Sequence, residues 1–226
     1  MAYATNLSGL DIAWSAYATG GIGSASGGFV DDLCDHYEEL GASAEASGSS
    51  GSRLLLVVGG GAGARLALRS PFSLYCGVDL GRWGLSLSGE SADGVEFAAA
   101  ELECLALALQ AELGASFRVG AGRIRPSAGL FIAMTLSDYT FEESLSGVYQ
   151  SVEIAPVATE RLFWGAGLGA DYLFKAGPGE LGVGLRGELG LSPLAAEEGA
   201  LGGTVTFPMR LLARATYEFR LGRKYR

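Results

Sequence analysis

The sequence predicts an all-β protein: an eight-stranded antiparallel up-and-down transmembrane β-barrel with one short helix in its first long loop. Three observations predict it. Period-two alternation recurs along the chain in stretches longer than the ~5–6 residues of an ordinary strand. The mean hydropathy is high, +0.27, yet no run of 18 apolar residues occurs among the 226, so a spanning helix is not expected. Finally, short and long connections alternate. The long ones are 20–52, 89–94, 138–157 and 192–203, and on that side fall four segments, 20–52, 88–103, 138–160 and 192–203, that hold 18 of the 25 acidic residues and no Lys or Arg.

The clearest alternation lies in 105–136. Leu105, Leu107, Leu109, Ala111, Leu113, Ala115, Phe117 and Val119 share one face, then Ile124, Pro126, Ala128, Leu130, Ile132, Met134 and Leu136 share it on the way back. The other face carries Glu112, Arg118, Arg123 and Arg125. In water the charged face would be the outside. In a bilayer the apolar face meets lipid and the charges line the lumen.

Taken in order, strand one is predicted over 7–19, with Leu10, Ile12, Trp14, Ala16 and Ala18 outward and Asp11, Ala13, Ser15 and Tyr17 inward. In the long segment that follows, Val30, Leu33, Tyr37 and Leu40 recur at helical spacing before Gly41, so a short helix is expected over 29–40. Strand two is 53–69 and turns at Ser70-Pro71 into strand three, 72–87. There the apolar phase slips from Phe72, Leu74, Cys76, Val78 and Leu80 to Trp83, Leu85 and Leu87, which predicts a bulge near Gly81. Strand four is 97–119. Its Glu101 and Glu103 fall on the face that later becomes apolar, so it is expected to project beyond the membrane before entering it. Strand five is 123–136, strand six 158–175, strand seven 181–191 and strand eight 204–221. The whole chain, 1–226, reads as a single barrel domain.

Two sets of residues carry the functional expectation. An eight-stranded barrel has room inside only for side chains or one small ligand, and buried charges must pair. Asp11, Arg65, Asp79, Glu112, Arg118, Arg125, Asp171, Arg186, Glu188, Arg210, Arg214 and Glu218 therefore predict an ion-paired, filled lumen. Pro126 and Pro208 pull against closure, because each lacks a backbone donor inside a predicted strand. Outside, Trp164 and Phe174 are separated by roughly 33 Å of strand. At a tilt of about 40° that is roughly 25 Å of height, the spacing of two aromatic girdles. Trp14, Phe72, Phe117, Tyr172, Phe207, Tyr217 and Phe219 complete the expected girdles.

The layout resembles the eight-stranded outer-membrane proteins of the OmpA, OmpX and OmpW kind over essentially the whole chain. The closing run Ala213-Arg-Ala-Thr-Tyr217-Glu-Phe219-Arg-Leu221 resembles the C-terminal strand read by the barrel-assembly machinery. The resemblance implies a bacterial outer-membrane location, contact with outer-membrane lipid and, during biogenesis, that machinery as a partner; it implies no particular activity. Met1-Ala-Tyr-Ala-Thr has neither a basic nor an apolar leader, so the signal peptide of an exported chain is expected to have been removed.

Other chemistry is read more blandly. Gly59-Gly-Gly-Ala-Gly-Ala64 has the look of a dinucleotide-binding turn, with Asp79 twenty residues on. The span to the next strand is too short for a crossover helix, and small wall residues explain it as well. His36, the sole histidine, is the only candidate for a histidine-based lipid enzyme at the rim. It sits among Asp31, Asp32, Asp35, Glu38 and Glu39, a set that reads as a solvated face more readily than as a Ca²⁺ site. Cys34, Cys76 and Cys104 have no metal-ligand spacing and suggest no disulfide framework. Strong acidity argues against nucleic acid. No cofactor, metal or catalytic residue is expected.

The expected function is a non-enzymatic barrel supporting the envelope, with acidic loops offered to an extracellular ligand. Its rivals are a narrow transport barrel for small hydrophobic molecules, with the rows Gly59, Gly61, Gly63 and Gly165, Gly167, Gly169 opening space, a rim lipid-modifying enzyme, and a soluble lipocalin-like barrel with the faces reversed.

Overall fold

In a computed structural model of the chain, the described residues are 11–26, 35, 49–90, 96–137, 140–145, 152–153, 162–192, 194–195 and 205–220. Eight long strands form the wall: β1 (Ile12–Ser26), β2 (Leu55–Ala67), β3 (Phe72–Glu90), β4 (Glu96–Ala115), β5 (Gly122–Thr135), β6 (Leu162–Ala176), β7 (Gly179–Gly190) and β8 (Val205–Phe219). Each pairs antiparallel with its neighbour in sequence, and β8 returns to β1. The sheet is therefore closed, and no strand of the wall is left as an edge.

Register fixes the barrel's shape. Starting at Trp14 and stepping across paired residues, the path runs Ala64, Cys76, Ala111, Leu130, Ala166, Leu189, Met209 and back to β1 at Ser24. The return is displaced ten residues along β1. With ~3.3 Å per residue and ~4.8 Å between strands, that stagger demands a tilt of roughly 40°. A barrel so staggered has an interior just wide enough for side chains.

The tight turns 68–71, 120–121 and 177–178 lie at one end. Gly120 and Gly177 adopt positive φ there, 58° and 59°, a region where a Cβ is strained. β3 and β4, at 19 and 20 residues, outrun the other strands at the opposite end. There the upper part of β4 pairs with Thr140–Leu145 and the upper part of β3 with Ser49–Arg53.

The bulge expected near Gly81 is absent. Pairing between β3 and β4 runs unshifted through Gly81↔Ala106 to Gly89↔Ala98, and Trp83 is fully buried in the lumen. The irregularity belongs to the neighbouring strand. Between Arg53↔Ser86 and Gly59↔Gly81 five residues (54–58) face four (82–85). The apparent slip on β3 is an inward aromatic, not a change of phase.

Both prolines sit where a ladder stops. Pro126 is held by β6 opposite Ala170, while pairing with β4 ends at Gly114↔Ser127 and the Ser116 amide donates to the Pro71 carbonyl instead, at 3.0 Å. Pro208 lies one residue past the last β7–β8 pair, Leu189↔Met209. Neither removes a bond the closed wall was making. The segment 59–64 is strand, paired to β1 and β3, as the reading of small wall residues expects. The helix expected over 29–40 falls, apart from Asp35, outside the described residues, as does His36.

The exterior is apolar. Leu56, Leu168, Leu185, Leu130 and Leu109 are each more than half exposed, while inward positions alternate with them as buried residues. An apolar surface of this extent has no place in water and matches the lipid-facing band of a membrane barrel.

Candidate functional site in the barrel lumen

Period-two alternation carries every second residue of each strand inward, and among the described residues the charges delivered there balance. Five arginines (65, 125, 186, 210, 214) and five carboxylates (Asp79, Glu112, Asp171, Glu188, Glu218) are buried. Guanidinium groups suit this task because one planar fork can bridge two carboxylates.

The contacts form one ladder of alternating sign. At the short-turn end Glu218 accepts from Arg125 Nη1 at 2.7 Å and lies 3.3 Å from Arg123 and 3.6 Å from Arg65. Arg125 also approaches Asp171, which accepts from Arg214 through Nε at 3.1 Å and Nη2 at 2.7 Å. Arg214 reaches Glu112 at 3.8 Å, and Arg186 bridges Glu112 to Glu188. Arg210 then joins Glu188, through Nε at 2.8 Å, to Asp79 at 3.1 Å. Its guanidinium lies 3.6 Å from the centre of the Trp83 ring.

Trp83 opens a second, apolar layer nearer the long loops. Its ring centre lies 5.4 Å from that of Phe131 and 5.1 Å from that of Phe163, with Leu55, Val57, Ala106 and Ala133 also buried. The lumen is thus salted below and greasy above, with Arg210 as the joint.

Glycines make the filling possible. A Cβ on Gly61 would stand 2.5 Å from the Tyr17 hydroxyl, and one on Gly63 2.5 Å from that of Tyr75. Gly165 faces the Phe131 ring and Gly167 the Arg186 guanidinium. The rows expected to open a channel are the spaces into which neighbouring strands insert their largest side chains.

Two of the twelve expected lumen residues lie elsewhere. Arg118 is exposed, because β4 ends at Ala115 and the short pair Phe117–Val119 projects below the lumen floor. Asp11 sits at the rim, more than a third exposed, bonded to Arg220 at 2.8 Å. Conversely, the lumen also holds the inward aromatics Tyr17, Tyr75, Trp83, Phe131 and Phe163, which a search for inward charges misses. Strand phase alone marked four of them; Trp83 was hidden by the mistaken slip.

On the outside, Trp14, Phe72, Phe117, Tyr172 and Phe174 are exposed near the short turns and Trp164 towards the other end, while Tyr217 and Phe219 are half-buried near the short turns and Phe207 near the long loops. Tyr172 and Phe174 lie with ring centres 6.4 Å apart, and Tyr217 and Phe219 stack at 6.1 Å.

No family model matches the chain, and no curated protein matches it. Among solved structures it is similar to Neisserial surface protein A (11% identity over 92% of this chain and 99% of that one, TM-score 0.43). It is also similar to the outer membrane protein OprG from Pseudomonas aeruginosa (8%, 93% and 95%, TM-score 0.41). A third is Ail, the attachment invasion locus protein of Yersinia pestis, in complex with the heparin analogue sucrose octasulfate (10%, 92% and 99%, TM-score 0.38). All are eight-stranded outer-membrane barrels, and the likeness is one of architecture.

Proposed function

We propose that the chain is a non-enzymatic outer-membrane barrel that supports the envelope and presents its acidic loops to an extracellular ligand. One observation carries the reading: a ladder of ion pairs, capped by an aromatic layer, fills the space a transported solute would need. Such an interior is rigid, because each guanidinium is fixed by two or more partners on different strands. Variation and recognition are then left to the long loops, where connecting segments generally carry function. Outer-membrane lipid covers the apolar belt, and the barrel-assembly machinery receives the closing strand.

The reading assigns no catalytic role to His36. A transport role would need the glycine rows open, and Tyr17, Tyr75, Phe131 and Arg186 occupy them. Planar-bilayer recording on the refolded chain separates the two: a silent bilayer is expected, whereas stepwise conductance would overturn the filled-lumen reading.

A further inference from the structure

A cleft of about 230 Å³ lies at the short-turn mouth of the lumen. Its polar lining comes from Arg65, Ser73, Ser116 and Arg123, its apolar lining from Ala13, Leu68 and Pro71. Arg65 is only 7% exposed, yet a guanidinium carries five N–H donors and, among the described residues, one acceptor is in reach: Nη1 donates to Ser73 Oγ at 3.3 Å. Its Nε has no acceptor, since Glu218 stands 3.6 Å away, beyond hydrogen-bond length. The Nε of Arg123 has none either. Two carboxylates also border the cleft, and both are engaged. Asp11 holds Arg220 at 2.8 Å, while Glu218 accepts from Arg125 at 2.7 Å and from Arg123 at 3.3 Å.

Strand register adds positive charge at this mouth. Arg118 stands directly across from Arg123 on the lumen face, and like charges so placed repel. Lys175 lies on the same face across from Glu180, whose carboxylate Arg123 already binds. Among the described residues, Arg65, Arg118, Arg123, Lys175 and Arg220 therefore outnumber Asp11, Glu180 and Glu218 here. Buried donors without acceptors and an excess of cations are the two features an anion would relieve together. We infer that the cleft binds a small monocarboxylate, with its carboxylate between Arg65 and Arg123 and a short apolar tail against Leu68 and Pro71. A guanidinium fork matches the two oxygens of a carboxylate. The further oxygens of a phosphate would be set against Leu68 and Pro71, where losing water without gaining a donor is costly. The site is separate from whatever the long loops recognise, because they lie at the other end of the barrel.

The test uses the full chain, with isotope-labelled arginine, refolded into uncharged glucoside micelles whose headgroups offer no competing anion. Sodium butyrate is titrated in, with sodium chloride of equal ionic strength as the reference. The Nε–Hε resonances of Arg65 and Arg123 are expected to move saturably with butyrate and not with chloride, while that of Arg210, deeper in the lumen, stays in place. Acetate, two methylenes shorter, should bind more weakly by up to about fourfold per methylene. Ser116→Leu fills the cleft without touching the ion-pair ladder and should abolish the movement in a chain that keeps its heat-modifiable migration. Arg123→Gln, nearer the rim, should weaken binding several-fold as read at Arg65, and it decides alone should Ser116→Leu not fold. Equal response to butyrate and chloride, or butyrate binding of unchanged strength in these variants, overturns the site. A stronger response to inorganic phosphate than to butyrate overturns the assignment to a carboxylate.

Discussion

Arg210 shows how much one inward side chain does. It ties Glu188 to Asp79 and lies over Trp83, so it joins the ionic layer of the lumen to the aromatic one. Removing one partner from a buried ion pair strands the other charge without water, at about 3–5 kcal/mol. Arg210→Ala is therefore expected to lower the unfolding free energy, measured by urea titration in lipid vesicles, by that amount. A loss below about 1 kcal/mol would mean that Glu188 and Asp79 are satisfied some other way. These partners were legible only as a list of inward charges. Period two states that Arg210 points in; it cannot state which carboxylate, some twenty or more than a hundred residues away, meets it across the lumen. Arg118 shows the limit from the other side, since its strand ended before the alternation did.

At the scale of the strand, what matters is which face a glycine lies on. Gly63 on β2 faces inward, where an added Cβ would stand 2.5 Å from the Tyr75 hydroxyl. Gly187 on β7 faces outward with nothing within 4 Å. Gly63→Ala should cost about 1–3 kcal/mol through overpacking, whereas Gly187→Ala should be neutral or slightly stabilising, because alanine loses less backbone entropy on folding. Equal effects at both sites would refute the assignment of faces, and urea midpoints of the two variants decide it. Strand faces and short turns could be read directly from the sequence because alternation is a local property. The phase of β3 beyond Gly81 differs from the one its apolar pattern predicts, for an equally local reason. Trp83 is apolar, which by alternation alone reads as outward, whereas the upper lumen is itself apolar. In a barrel filled with both salt and rings, polarity marks the faces cleanly only in the charged half.

For the molecule as a whole, charge is sorted by position. The buried charges cancel among the described residues, so the net −9 of the chain lies in the other residues, with 18 of its 25 acids in the four long segments. Composition and alternation together announced this inverted plan, in which apolar residues form the rind. The ten-residue stagger could not be read in advance, because register between strands depends on pairings that no single strand encodes. The most direct test of the plan is the accessibility of a nitroxide label at position 109, placed by Leu109→Cys in a chain whose Cys34, Cys76 and Cys104 are replaced by Ser, with the folded protein in lipid vesicles. Fast relaxation by oxygen, which concentrates in the bilayer, and none by a water-soluble nickel chelate is the expected result. Relaxation by the nickel chelate with little effect of oxygen would place Leu109 in water and contradict a barrel that wears its apolar face outward.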